Sequence, residues 1–307
     1  MIDKKPTKVS NFKTHMLAYN SARNAFKDLL GVLKRNNDLM IYLPAYIGIS
    51  PKEGSGIFDP ICELGIQHEF YRLDRNLCVC VDELIKQIKN RNKNKTTAIL
   101  LVHYFGYIDP NYDLLSDVLK SENVIIIEDC AHAMFSHLVD EACGKGDYFL
   151  YSLHKMLPYS QGGVLNVPDA NRAILDELSP ENESVNVFEY DLLGIARKRK
   201  ENAEAWKQLC SSLNIETIKL ATNLKCTPQT YPILVNEEER YKIYQNVNEL
   251  GFGVISLYHT MIDELKSFEA ESSQYVSKRI LNLPVHQDVN IEDINEMFRV
   301  LEKQIDN

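Results

Sequence analysis

The chain has 307 residues with 34 basic and 43 acidic side chains, a net charge of −9, which argues against a nucleic-acid partner. Hydrophobic residues make up 45% and charged residues 25%, the balance of a soluble globular protein with a large core. No run of about 18 apolar residues occurs, and the N-terminal MIDKKPTKVSNFKTH lacks the apolar centre of a signal peptide. The expectation is therefore a cytoplasmic protein without a membrane partner.

Apolar residues at Ala18, Ala22, Ala25, Phe26, Leu29, Leu30 and Leu33 recur at helical spacing. They predict a helix starting near Asn20 or Ser21, with Gly31 as its weak point. Strands are expected at Leu39–Leu43, Gln67–Leu73, Thr97–His103, Val124–Asp129, Asp147–Leu153 and Gly163–Val167, with helices at Asp82–Lys89 and Tyr112–Ser121 between them. The alternation implies an α/β fold with a largely parallel sheet. Ala98–Val102 and Val124–Ile127 are apolar at every position, as strands covered on both faces are. Beyond Pro168 a polar stretch, Ser179–Ser184, leads to a long helix from about Asp191 to Leu213. Strand, helix and strand follow at Thr230–Asn236, Glu237–Leu250 and Gly253–Leu257, and a last helix spans Ile291–Gln304. A boundary near residue 185 divides a larger domain, 1–185, from a smaller one, 186–307.

The seven cysteines contain no C-x-x-C pair and are odd in number, so reduced thiols are expected rather than a zinc ribbon or a disulfide framework. Cys78 and Cys80 share a strand face but lack a second ligand pair, and no metal is expected. Arg197-Lys198-Arg199-Lys200, followed by Glu201 and Glu204, reads as a solvated helix face. Tyr104 and Phe105 read as core.

Ligands of an open parallel sheet bind beyond the carboxyl ends of its strands, where His103, Asp129, His132 and Ser152 fall and are expected to share one crevice. Asp129 ends an apolar strand, so its carboxylate calls for a cation such as a protonated pyridine nitrogen; the alternative is an Asp that caps the next helix, which Cys130-Ala131-His132-Ala133 would begin. In YSLHKMLPYSQGG, 151–163, Ser152 stands three residues before Lys155 and a Gly-Gly pair seven residues after it. A hydroxyl to hold a phosphate, glycines for close backbone approach and an amine whose burial lowers its pKa suit a pyridoxal-phosphate enzyme. The other reading of Lys155 is an ordinary exposed lysine, and of His132 a structural histidine. S-x-x-K also occurs in penicillin-binding enzymes, but their S-D-N and K-T-G elements are absent.

YFG at 104–106, IEDCAHA at 127–133, YSLHK…GG at 151–163 and LNLPVHQD at 281–288, with YNSAR at 19–23 and LPAY at 43–46, resemble in order the DegT/StrS-type sugar aminotransferases. The resemblance, to short and divergent members, implies the fold of the aspartate-aminotransferase-like, pyridoxal-phosphate fold type I enzymes: a largely parallel sheet flanked by helices and a smaller α+β C-terminal domain. It implies that Lys155 forms the imine with pyridoxal 5'-phosphate and shuttles the proton, and that Asp129 pairs with the pyridine nitrogen. His132 would lie near the phenolic oxygen, and Ser152 with Ser21, Ala22 and Arg23 would hold the phosphate. The implied reaction moves an amino group from an amino acid, glutamate foremost, to a keto-sugar, nucleotide-linked, in glycan or secondary-metabolite synthesis. A homodimer is implied as well.

Departures from the family pattern are two fewer residues between Ser152 and Lys155, Ala22 in place of a glycine, and Gly48 in place of a stacking aromatic, for which Tyr46 or His132 would substitute. The segment that lends an asparagine to the neighbouring subunit is not recognisable. These departures support a rival reading, a non-catalytic binding or regulatory member of the fold. A sugar dehydratase would carry histidine in place of Lys155, and His154 stands next to it.

Overall fold

The computed structural model describes Thr7 and residues 14–36, 38–50, 56–183, 185–219, 225–268 and 270–305. Most of the N-terminal stretch read above for a leader lies outside these residues. Among the described residues, no helix is long and apolar enough to cross a membrane.

The main sheet has the strand order β1 (Thr14–Tyr19), β7 (Gly163–Pro168), β6 (Tyr148–Ser152), β5 (Ile125–Asp129), β4 (Thr96–Val102), β2 (Leu39–Pro44) and β3 (Gln67–Tyr71). Strands β3, β2, β4, β5 and β6 pair in parallel, whereas β7 runs antiparallel to both β6 and β1. The fully apolar runs of β4 and β5 send alternate side chains into two cores. Ile41, Leu43, Leu100 and Ile127 meet Phe26 and Leu29 of α1 (Ala22–Asn36) on one face. Ile99, Leu101 and Ile126 pack with Leu115 of the helix Tyr112–Ser121 on the other. Both faces are dry, which is why these strands show no polar alternation.

Strand β1 was not anticipated. Its first four residues are only half-buried at the sheet edge, so it carries no clear period-two signal.

The second sheet is antiparallel, with β10 (Ile280–Pro284) beside β9 (Thr230–Leu234) and β9 beside the short β8 (Glu216–Thr217). The long helix Leu192–Ser212 and the last helix, Ile291–Ile305, pack together. Trp206 of the long helix is fully buried and donates its indole N–H to Pro284 O at 3.0 Å.

Two expectations are corrected here. Residues 253–257 form no strand: Ile255 makes one bridge with Asn282, and the Asn282 side-chain oxygen then accepts Leu257 N–H at 3.0 Å. That hydrogen bond ends the pairing, and the chain turns at Tyr258, φ 61°. The basic cluster is not a solvated face throughout. Arg199 is 3% exposed and donates to Gln229 O at 3.2 Å, and Lys200 pairs with Asp140 at 2.5 Å.

Candidate functional site

A cavity of about 320 Å³ opens at the carboxyl ends of β5 and β6. One wall carries Asp129, Ser152 and Lys155, and the opposite wall is the start of α1, with Ser21, Ala22 and Arg23. Ser21 caps that helix, its hydroxyl accepting Asn24 N–H at 3.1 Å, so the sequence reading of the helix start agrees with the structure. The first-turn N–H groups of α1 therefore border the cavity, the arrangement in which a helix favours an anion.

The glycine pair has two separate jobs. Gly162 sits at φ +125°, a backbone state other residues rarely adopt, whereas Gly163 lies so close to α1 that an added Cβ would be 2.1 Å from Ala22 N. Only glycine lets β7 run against the helix start.

Lys155 is delivered by a single 3-10 turn, Leu153–Lys155, directly after β6, so the short spacing from Ser152 still brings the amine back over the sheet. The residue is half-buried. Its Nζ lies 2.9 Å from His132 Nε2. Burial lowers its pKa, against the pull of the Asp129 carboxylate. Asp129 is 8% exposed and accepts Ala131 N–H at 2.9 Å, which closes a turn over 131–133 and caps no helix, since the next helix begins only at Met134; the residue lines the cavity. Burial raises the Asp129 pKa, opposed by the charge of Lys155 and by the Ala131 hydrogen bond. Burial, and then Lys155, hold the His132 pKa well below the ordinary range.

The expected crevice thus brings together Asp129, Ser152 and Lys155, with His132 reaching Lys155 from behind. His103 is not part of it. Its Nε2 bonds Glu128 Oε2 at 2.8 Å on the far side of β5, where Tyr112 Oη donates to Glu128 Oε1 at 2.6 Å. Burial opposes charge on His103, but the Cys143 thiol and the Glu128 carboxylate raise its pKa to about 10. Cys130 and Cys143 adjoin this pair, their ligand atoms within 4.8 Å of His103 and Glu128. Hydrogen bonding runs from Cys130 through Cys143 and His103 to Glu128, so the group supports itself as a buried polar network.

Tyr46 and His132 do not supply a stacking ring to the cavity. Tyr46 is fully buried behind Tyr258, 5.2 Å between ring centroids, and the His132 ring stacks on Phe105 at 16°. The aromatic rings on the cavity wall include Phe26 and Tyr258, and sequence reasoning missed Tyr258. It directly follows the stretch 253–257 expected as a strand, and no motif marks it. Arg23 lines the cavity but is turned outward, paired with Asp59 at 3.0 Å and Ser50 Oγ at 2.5 Å.

Residues 55–175 match the model of the DegT/DnrJ/EryC1/StrS aminotransferase family. The chain is 22% identical over 271 residues to a UDP-4-amino-4,6-dideoxy-N-acetyl-beta-L-altrosamine transaminase of Campylobacter jejuni, covering 73% of this chain and 71% of that protein. Among solved structures, a DegT DnrJ EryC1 StrS aminotransferase from Brucella abortus superimposes with a TM-score of 0.74 at 16% identity, over 97% of this chain and 87% of that one. The ntda protein of Bacillus subtilis with bound cofactor PMP gives 0.73 at 17% identity, over 95% and 74%.

Proposed function

We propose, from the match of residues 55–175 to the DegT/DnrJ/EryC1/StrS aminotransferase model and from the shared fold, that the chain is a member of this family and that its cavity holds pyridoxal 5'-phosphate. We further propose that the protein transfers an amino group from an amino acid, with glutamate the first candidate, to a nucleotide-linked keto-sugar. The observation that carries the reading is the meeting of the Lys155 amine and the Asp129 carboxylate in one cavity with the N-terminus of α1 opposite. The residues fit the cofactor: a buried carboxylate suits a pyridinium nitrogen, and the helix start with Ser21, Ala22, Arg23 and Ser152 suits a phosphate. When bound, the cofactor supplies a reactive carbonyl and an electron-accepting ring.

The chain's own residues do the rest. With the cofactor bound, Lys155 would present its amine to the carbonyl and would hold a proton at Nζ, Asp129 would keep the ring nitrogen protonated, and Tyr258 with the apolar wall of Phe26 and Leu150 would keep water from the reacting atoms. A dimer, and a division of the chain near residue 185, belong to the same proposal. Support for a sugar acceptor comes from the Campylobacter transaminase, whose name specifies an amino-sugar.

Incubation with pyridoxal phosphate followed by borohydride is expected to label Lys155 covalently, as read by peptide mass spectrometry, and to leave Lys155→Ala unlabelled. An unlabelled wild-type protein would sink the aminotransferase reading in favour of the non-catalytic one.

A further inference from the structure

The His132 ring is fixed from both sides. Its Nδ1 lies 3.2 Å from the backbone nitrogen of Phe105, an N–H that can only donate, so Nδ1 is an acceptor and bears no proton. A neutral imidazole then has its one proton on Nε2. The group that Nε2 meets, 2.9 Å away, is Lys155 Nζ. An ammonium has no lone pair to accept that proton; a neutral amine has one. We propose that His132 is a positioning residue that, through the Phe105 N–H, holds Lys155 as an unprotonated amine with its lone pair already engaged, ready for a carbonyl. Its purpose rests on the aminotransferase reading, whereas its evidence does not.

The device is built in rather than incidental. Phe105 stands at φ 57°, an outlying conformation for a bulky residue, and is held there by Gln229 N–H on its carbonyl at 2.7 Å and by the flat stacking of its ring on His132. Both residues are buried, at 0% and 3% exposure, so water does not compete for either ring nitrogen. The preceding strain at Phe105 and the turn after β5 thus fix the tautomer before any substrate arrives.

The other charged or titratable residues that line the cavity with Lys155 come from several elements: Asp129 at the end of β5, His154 in its own turn, Tyr258, and Arg23 of α1, which is paired with Asp59. Asp129 favours a proton on the amine, while burial and its hydrogen-bonding to His132 oppose it. Keeping Lys155 neutral has a second consequence: the negative charge of Asp129 is not consumed by an internal ion pair and stays available to a cationic ring. Condensation with an aldehyde needs the free amine. Nζ forms a bond to the carbonyl carbon, the carbon–oxygen bond breaks, and the two amine protons leave with the oxygen as water.

The test uses the full chain freed of bound carbonyl compounds with hydroxylamine, labelled with 15N in histidine. The His132 signals, assigned with His132→Gln, are expected to show a protonated Nε2 and an unprotonated Nδ1 throughout pH 6–9. A proton on Nδ1, or an imidazolium, in that range would overturn the proposal. The second readout is the rate at which pyridoxal phosphate becomes borohydride-fixable at Lys155, as a function of pH. His132→Phe is expected to move the midpoint of that profile upward by at least about one pH unit, a tenfold slower reaction at pH 7, while His132→Gln, which keeps a side-chain N–H donor, restores most of the rate. An unchanged midpoint in His132→Phe would also overturn it. If wild-type Lys155 takes up no pyridoxal phosphate, the aminotransferase reading fails and the nitrogen signals alone decide the tautomer.

Discussion

Replacement of Gly163 by alanine probes the contact on which the proposed phosphate site depends. A Cβ at this position would lie 2.1 Å from Ala22 N, 2.2 Å from the Ser21 carbonyl carbon and 2.5 Å from Ala22 Cα. All three are backbone atoms, so no side-chain rotation relieves them, and β7 and the start of α1 must part by roughly 1 Å to reach even a tight contact. Gly163 is paired on both sides, with Tyr19 of β1 and Ser152 of β6, so the strand has little freedom to yield. The helix start is tethered as well, since only Asn20 and Ser21 separate it from the paired Tyr19. Overpacking costs about 1–3 kcal/mol, and a backbone obstacle places this case near 3. With an unfolding entropy of about 2.1 cal/mol/K per residue over 307 residues, the melting temperature should fall by about 5 °C. Displacing the helix start should also weaken binding of inorganic phosphate by about tenfold, the equivalent of 1.4 kcal/mol. Calorimetry of the variant and phosphate titration would measure both. A melting temperature within about 1 °C of wild type, together with unchanged phosphate affinity, would refute the claim that β7 and α1 are in backbone contact here.

Gly31→Ala is the opposite case: its Cβ meets only the end of Arg35, at 3.9 Å, in the middle of α1, so the variant should be about 0.5–1 kcal/mol more stable in urea melts. Asp129→Asn should still let Lys155 be labelled by pyridoxal phosphate but slow amino transfer by about 10–100-fold, the loss of a charged hydrogen bond of about 1.5–3 kcal/mol; equal rates in a stopped-flow half-reaction would contradict the assigned role. His103, raised to about 10 in the folded state from an ordinary 6.5, contributes stability that is full below pH 6.5 and lost as the pH climbs through about 10. Urea midpoints should therefore fall between pH 7 and 10 in wild type and stay flatter in His103→Gln, and parallel curves would rule out the buried His103–Glu128 pair.

The strands and helices with an apolar signature were legible without coordinates. The buried runs 98–102 and 124–127 were readable because burial on both faces leaves no place for polar residues. The edge strand β1 and the lone bridge at Ile255 were not, since one pairs through backbone with few buried side chains and the other is interrupted by the side chain of Asn282. At the site, Lys155, Asp129, Ser152 and the start of α1 were readable because each follows a strand or opens a helix at a recognisable spacing. His103 misled for the same reason: it also ends a strand, yet its ring passes to the other face and meets Glu128.

What the chain determined by itself is the order of its elements and the set of groups presented at their ends, since hydrophobic periodicity and local turn chemistry act over a few residues. Which of those groups meet was decided by packing across long separations. Tyr258 enters the cavity more than a hundred residues after Lys155, Phe105 fixes the proton of His132 from another strand's end, and Gly163 allows a helix from the other end of the domain to approach. Such contacts depend on strand order and on backbone clearances of an ångström, and no local pattern in the sequence encodes either.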